Sequence, residues 1–83
     1  MREKIFYIYI LKSLTNGSYY VGTTSNLEKR INYHNQGKVR STKPFIPWKI
    51  RYTEKFNSLK EARQRESQIK KWKSRKVIER LFK

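Results

Sequence analysis

The sequence predicts an α+β fold: a small three-stranded sheet, mixed or antiparallel, flanked by helices in the order β-β-α-β-α-α. It fills residues 1–83 as a single domain. Three observations predict it. Two β-rich runs flank Asn16-Gly17, a dipeptide suited to a tight hairpin. Ser-x-x-Glu boxes at Ser25 and Ser58 each stand before apolar residues at helical spacing. Between them lies a run in which Trp48, Ile50 and Tyr52 alternate with polar residues.

Residues 5–12 are β-branched and aromatic on both parities, which predicts a strand buried on both faces. Residues 18–22 form its return strand. The box Ser25-x-x-Glu28 opens a helix to about Asn35, with Gly37 as its stop. Lys38, Arg40, Lys43, Pro44 and Pro47 mark a basic loop. Residues 48–56 are the third strand. Ser58-x-x-Glu61 opens a long helix to about Trp72, and Ser74 caps a short last helix ending in Leu81-Phe82.

Composition narrows the chemistry. The chain carries 21 Lys+Arg against 6 acidic residues, a net charge of +15, with no Cys and a single His. All six acids are Glu: Glu3, Glu28, Glu54, Glu61, Glu66 and Glu79. A disulfide framework, a thiolate metal site and a zinc site are therefore excluded. So are a Ser-His-Asp triad and an Asp-built two-metal centre. Hydrophobic content is only 36%, but aromatics make up 14% and bury large areas each, so a thin core is expected. No apolar run is long enough to span a membrane, and charged Arg2, Glu3 and Lys4 do not suit a signal peptide. The charge calls for a polyanionic partner, nucleic acid before an anionic membrane.

Three local features carry possible chemistry. First, if Asn16-Gly17 is a two-residue turn, Tyr9 shares a sheet face with Tyr20 and Gly22, and the glycine leaves space beside the phenols. Ordinary cross-strand packing is the alternative. Second, Leu27 and Ile31 define the buried stripe of the first helix; His34 falls about 20° from Leu27, with Arg30 one turn before it. The pair suits an anionic ligand; alternatively the Arg stem covers apolar surface beside a satisfied His. Third, Glu66 falls inside the stripe of Leu59, Ala62 and Ile69, with Trp72 at its margin. An inward carboxylate needs a partner: a salt bridge, for which Arg30 is one candidate, or a hard cation such as Mg²⁺.

Together these residues resemble the GIY-YIG nuclease superfamily. Tyr7-Ile8-Tyr9 and Tyr20-Val21-Gly22 look like its two signature triplets, with Arg30 ten residues after Tyr20. His34-Asn35, Gly37-Lys38 and Glu61-Ala62-x-x-x-Glu66-x-x-Ile69-Lys70-x-Trp72 are similar to its small stand-alone, excision-repair-related branch. Tyr7 stands where the first triplet normally has Gly, which narrows the expected pocket. No residue after Glu66 matches the further Asn of the homing and restriction members.

The resemblance implies a GIY-YIG-like fold and phosphodiester hydrolysis with one Mg²⁺ or Mn²⁺. By carry-over, Tyr9 is the general base or positions the attacking water. Tyr20 orients the scissile phosphate, and Arg30 stabilises its charge. His34 contacts the phosphate or assists proton transfer, and Glu66 holds the metal. Lys38, Arg40, Lys43 and Lys49 track the nucleic-acid backbone. The leading expectation is a DNA endonuclease directed by structure and not by sequence, cytoplasmic, associated with the nucleoid, and a monomer or weak dimer. The alternative is a non-catalytic DNA- or RNA-binding module, a decayed nuclease. A third reading lays the basic segment from Lys70 onward on anionic lipid.

Overall fold

The structure, a computed structural model, describes residues 4–82. Arg2 and Glu3, the charged start weighed against a signal peptide, lie outside the described residues. Among those described, no helix is long and apolar enough to cross a membrane.

Strand β1 (Phe6–Ser13) is the middle of the sheet, between β2 (Tyr19–Thr24) and β3 (Trp48–Phe56). Both neighbours run antiparallel to it, so the sheet is wholly antiparallel. A central strand needs apolar residues on both parities, and β1 has them. Ile8 and Ile10 face one side, with Val21. Tyr9 and Leu11 face the other, with Trp48.

The hairpin is wider than the expected two-residue turn. Ser13 N–H donates to the Ser18 carbonyl at 2.8 Å, leaving a four-residue loop, 14–17, between them. Side chains explain the width. Ser13 Oγ accepts from the N–H groups of Thr15 and Asn16, and Asn16 Oδ1 accepts from Ser18 N–H. Gly17 supplies the left-handed φ of 76°. Four and two are both even, so the facing survives: Tyr9 pairs with Gly22, and Leu11 with Tyr20.

Strand β3 does not present one apolar face. Ile10 pairs with Tyr52 but Leu11 pairs with Ile50, so Arg51 is an extra, bulged residue. The bulge sends Trp48 and Ile50 to the Tyr9 side, and Tyr52 and Phe56 to the Ile8 side. One alternating run thus feeds both cores.

Helix α1 (Leu27–Asn35) covers the Tyr9 face through Leu27 and Ile31. Its cap is Asn26, whose side chain accepts from Lys29 N–H at 3.0 Å, and not Ser25. Asn caps as well as Ser, and the Thr24 hydroxyl holds Asn26 N–H at 3.1 Å, which places the start one residue later. Gly37, at φ 75°, ends the helix as expected. Helix α2 (Leu59–Trp72) covers the other face with fully buried Ala62 and Ile69. Ser58 caps it, accepting from Glu61 N–H. Leu59 belongs to the expected stripe but, as the first residue of α2, is 37% exposed. Helix α3 (Arg75–Glu79), capped by Ser74, and the turn Arg80–Phe82 close this core with Ile78, Leu81 and Phe82. The result is three layers, with α1 on one side of the sheet and α2 and α3 on the other. Packing of Ile78, Leu81 and Phe82 into the domain core commits the last helix's apolar side, which removes the lipid-facing reading.

Candidate active site

Tyr9 is the hub. Its ring lies directly over Gly22: a Cβ built there would stand 2.5 Å from the phenol Cζ. The glycine space expected beside the phenols is therefore not open; the Tyr9 ring fills it. Any side chain at position 22 would expel that ring.

Two groups hold the Tyr9 hydroxyl and a third ring lies beside it. Arg30 Nε–H donates to it at 3.2 Å. His34 Nε2 lies 3.1 Å away, in a buried hydrogen bond. Tyr20 stands beside both, with ring centroids 6.3 Å from Tyr9 and 4.9 Å from His34. Sheet parity and one turn of α1 are enough to gather these four residues. Tyr9 and Tyr20 come from antiparallel neighbours, and Arg30 and His34 are one helical turn apart.

His34 is 0% exposed, and its second ring nitrogen, Nδ1, is 2.8 Å from Thr42 Oγ1. Both ring nitrogens are thus engaged inside the protein, one by Tyr9 and one by Thr42. Burial, helped by the Arg30 charge, lowers its pKa to about 4, so the imidazole is neutral near pH 7. Burial pushes the Tyr9 phenol above its ordinary value, and the hydrogen bond and charge of Arg30 pull back without cancelling that. Tyr9 is thus a protonated phenol at neutral pH.

Arg30 opens onto a cavity of about 390 Å³ lined by Thr24, Ser25, Asn26, Lys29, Arg30 and Tyr33. An anion entering this cavity would meet the guanidinium beside the first turn of α1. Tyr7, the departure from the glycine of the first triplet, pairs with Thr24 and does not line this cavity. Tyr33 is exposed and stands between two cations, with Arg30 5.6 Å and Lys38 5.4 Å from its ring centroid. Lys38, Arg40, Lys43 and Lys49 are all exposed.

Glu66 is placed differently. It lies on α2, on the opposite side of the sheet from Arg30, and does not pair with Arg30. Its carboxylate accepts from the Thr23 hydroxyl and from Lys70 Nζ at 2.6 Å. Burial pushes its pKa up, but Lys70 and Thr23 outweigh that and hold it below the ordinary carboxylate range, so it is ionised. Thr23 directly follows Gly22, which puts Glu66 at the β2 edge, near enough for its charge to act on Tyr9. Among the described residues no three His, Cys, Asp or Glu side chains gather into a metal cage. The donor set suits one hydrated hard cation held by a single carboxylate, with waters and phosphate oxygens completing the shell.

Sequence reasoning missed Thr23, Thr42 and Lys70. Thr23 and Lys70 carried a signal: the first follows the glycine of the second triplet, and the second lies one turn beyond Glu66. Thr42 sits in an aperiodic loop and carried none.

A model of the GIY-YIG catalytic domain matches residues 5–79. The chain is 43% identical to a UPF0213 protein of Bacillus licheniformis, over 99% of this chain and 84% of that protein. It is 47% identical to a UPF0213 protein of Clostridium perfringens, over 78% of this chain and 70% of that one. The solution NMR structure of a UPF0213 protein from Bacillus halodurans superposes with a TM-score of 0.57 at 35% identity, covering 93% of this chain and 81% of the other. A family model that spans nearly all of the described residues, with relatives this similar over most of their length, places the chain in the GIY-YIG catalytic domain family, a family of nucleases acting on nucleic acid.

Proposed function

We propose that the protein is a divalent-metal-dependent DNA endonuclease that reads the structure of its substrate and not its sequence. One observation carries the reading: the buried Tyr9 hydroxyl is held between Arg30 Nε and a neutral His34 Nε2. A phenol so placed passes a proton onward. It takes one from the attacking water as its own goes to His34, and no free phenolate is needed. Arg30 spans the step, touching Tyr9 while its guanidinium faces the cavity where the phosphate would lie, and it stabilises charge developing on phosphorus. Tyr20 orients that phosphate from beside His34. Glu66, with Thr23 next to it, is the residue that would hold Mg²⁺ or Mn²⁺, and the chemistry such an ion would supply there is neutralisation of phosphate charge and stabilisation of the leaving oxygen. Lys38, Arg40, Lys43 and Lys49 would grip flanking phosphates without reading bases.

A second reading has its own support. Lys70 already supplies a cation to Glu66, as suits a nucleic-acid-binding module that has lost its metal. One experiment separates the two: incubation of nicked, branched and linear duplex DNA with and without Mg²⁺. The nuclease reading expects metal-dependent cleavage that Tyr9→Phe, Arg30→Ala and Glu66→Ala each reduce by at least about 100-fold while circular dichroism is unchanged. Binding without cleavage, and no metal uptake, would leave the binding module.

A further inference from the structure

We propose that Thr42 is a positioning residue: it holds His34 as the Nδ1–H tautomer, leaving Nε2 free to take the Tyr9 proton. The consequence for cleavage rests on the hydrolytic reading above; the tautomer itself does not.

Hydrogen accounting carries the assignment. Tyr9 is 2% exposed, and its hydroxyl has two partners, Arg30 Nε and His34 Nε2. Arg30 can only donate. The phenol hydrogen therefore has one acceptor, and that is Nε2. If Nε2 carried the proton instead, two donors would converge on the Tyr9 oxygen and the phenol hydrogen would have no protein acceptor. With Nε2 accepting, the proton of the neutral ring sits on Nδ1, 2.8 Å from Thr42 Oγ1. Thr42 must then accept, so its own hydrogen goes elsewhere, and the Val39 carbonyl takes it at 3.3 Å. Every hydrogen in the chain of contacts, from Arg30 through Tyr9, His34 and Thr42 to Val39, has an acceptor in this direction.

Thr42 is built to stay in place. It is 1% exposed. Its N–H donates to the Val39 carbonyl at 3.1 Å, and its carbonyl accepts from the Trp48 indole N–H at 2.9 Å. Trp48 is in turn clamped by Asn35, which accepts from its backbone N–H and donates to its carbonyl. The loop after α1 thus does more than carry basic residues. It reaches back under the helix and fixes which imidazole nitrogen faces the tyrosine.

His34 is the chain's single histidine, so ¹⁵N-histidine labelling and two-bond ¹H–¹⁵N correlation report its tautomer without assignment. The wild-type chain should show a protonated Nδ1 and an unprotonated Nε2. Thr42→Val removes the acceptor; it should shift the ring toward Nε2–H and lower kcat about 100-fold with KM changed less than about twofold. Thr42→Ser should keep the wild-type ring signals and most of kcat. A wild-type ring protonated at Nε2 overturns the proposal, as does a Thr42→Val chain that keeps both Nδ1–H and kcat. The wild-type spectrum and Thr42→Ser decide the matter even if Thr42→Val does not fold. A chain that cuts no DNA refutes the hydrolytic reading, and the ring spectrum then decides the tautomer alone.

Discussion

At the scale of single residues, His34 carries the largest measurable consequence. Its pKa is lowered from 6.5 to about 4, chiefly by burial and then by the Arg30 charge. The unfolded chain takes up this proton as pH falls below 6.5, while the folded chain resists until about 4. The unfolded state therefore binds more protons in that window, and stability falls as pH drops through it. The difference amounts to roughly 3 kcal/mol, fully present above the upper value and lost by the lower one. Glu54 and Glu66, whose carboxyls are held below their ordinary range, contribute only as pH falls further. Urea unfolding at pH 7 and pH 5 should show this loss, and His34→Gln should flatten it. Equal stability at the two pH values in the wild-type chain would mean that His34 is not held neutral by the fold.

At the scale of elements, α2 brings Glu66 to the β2 edge and also brings Lys70, one turn on, to neutralise it. A metal entering here meets an ammonium already on the carboxylate. Removing one positive charge beside a divalent ion should tighten Mn²⁺ binding on the order of tenfold. Lys70→Met, titrated with Mn²⁺ and followed by electron paramagnetic resonance, checks this; affinity equal to wild type would mean that Lys70 swings clear without cost. Elements also divide what the sequence made legible. All three strands and three helices follow from local patterns, because Ser58, Ser74 and Gly37 act within a few residues of themselves. The bulge at Arg51 and the four-residue hairpin loop do not. The first is decided by what lies across the sheet, the second by Ser13 and Asn16 side chains competing for the turn's backbone. In the site, residues on regular elements were legible: Tyr9, Tyr20, Arg30 and His34 meet because strand parity and helical pitch bring them together. Thr42 escaped because a loop residue has no period. Pairing of Glu66 with Lys70 rather than Arg30 follows from the sheet, which stands between Glu66 and Arg30.

At the scale of the whole molecule, the net charge of +15 and the tyrosine site make separable contributions. Lys38, Arg40, Lys43 and Lys49 are exposed along the loop after α1 and the start of β3, and Arg30 opens into the cavity beside the first turn of α1. If these five cations each neutralise one phosphate of a duplex, log K against log salt should fall with a slope of about −4.5. Between 50 and 200 mM salt that is a loss of roughly 500-fold. Fluorescence anisotropy on two duplexes of unrelated sequence should give the same slope. Lys43→Ala should reduce it by about 1 without favouring either duplex, since a phosphate contact carries no base information. Arg30→Ala should change the slope by the same amount and yet lower cleavage far more than binding, because its guanidinium also holds the Tyr9 oxygen. A Lys43→Ala chain with an unchanged slope would move the nucleic acid off this loop, toward the cations that α2 presents around Glu66. The slope therefore locates the grip, and the gap between binding and cleavage in Arg30→Ala locates the chemistry.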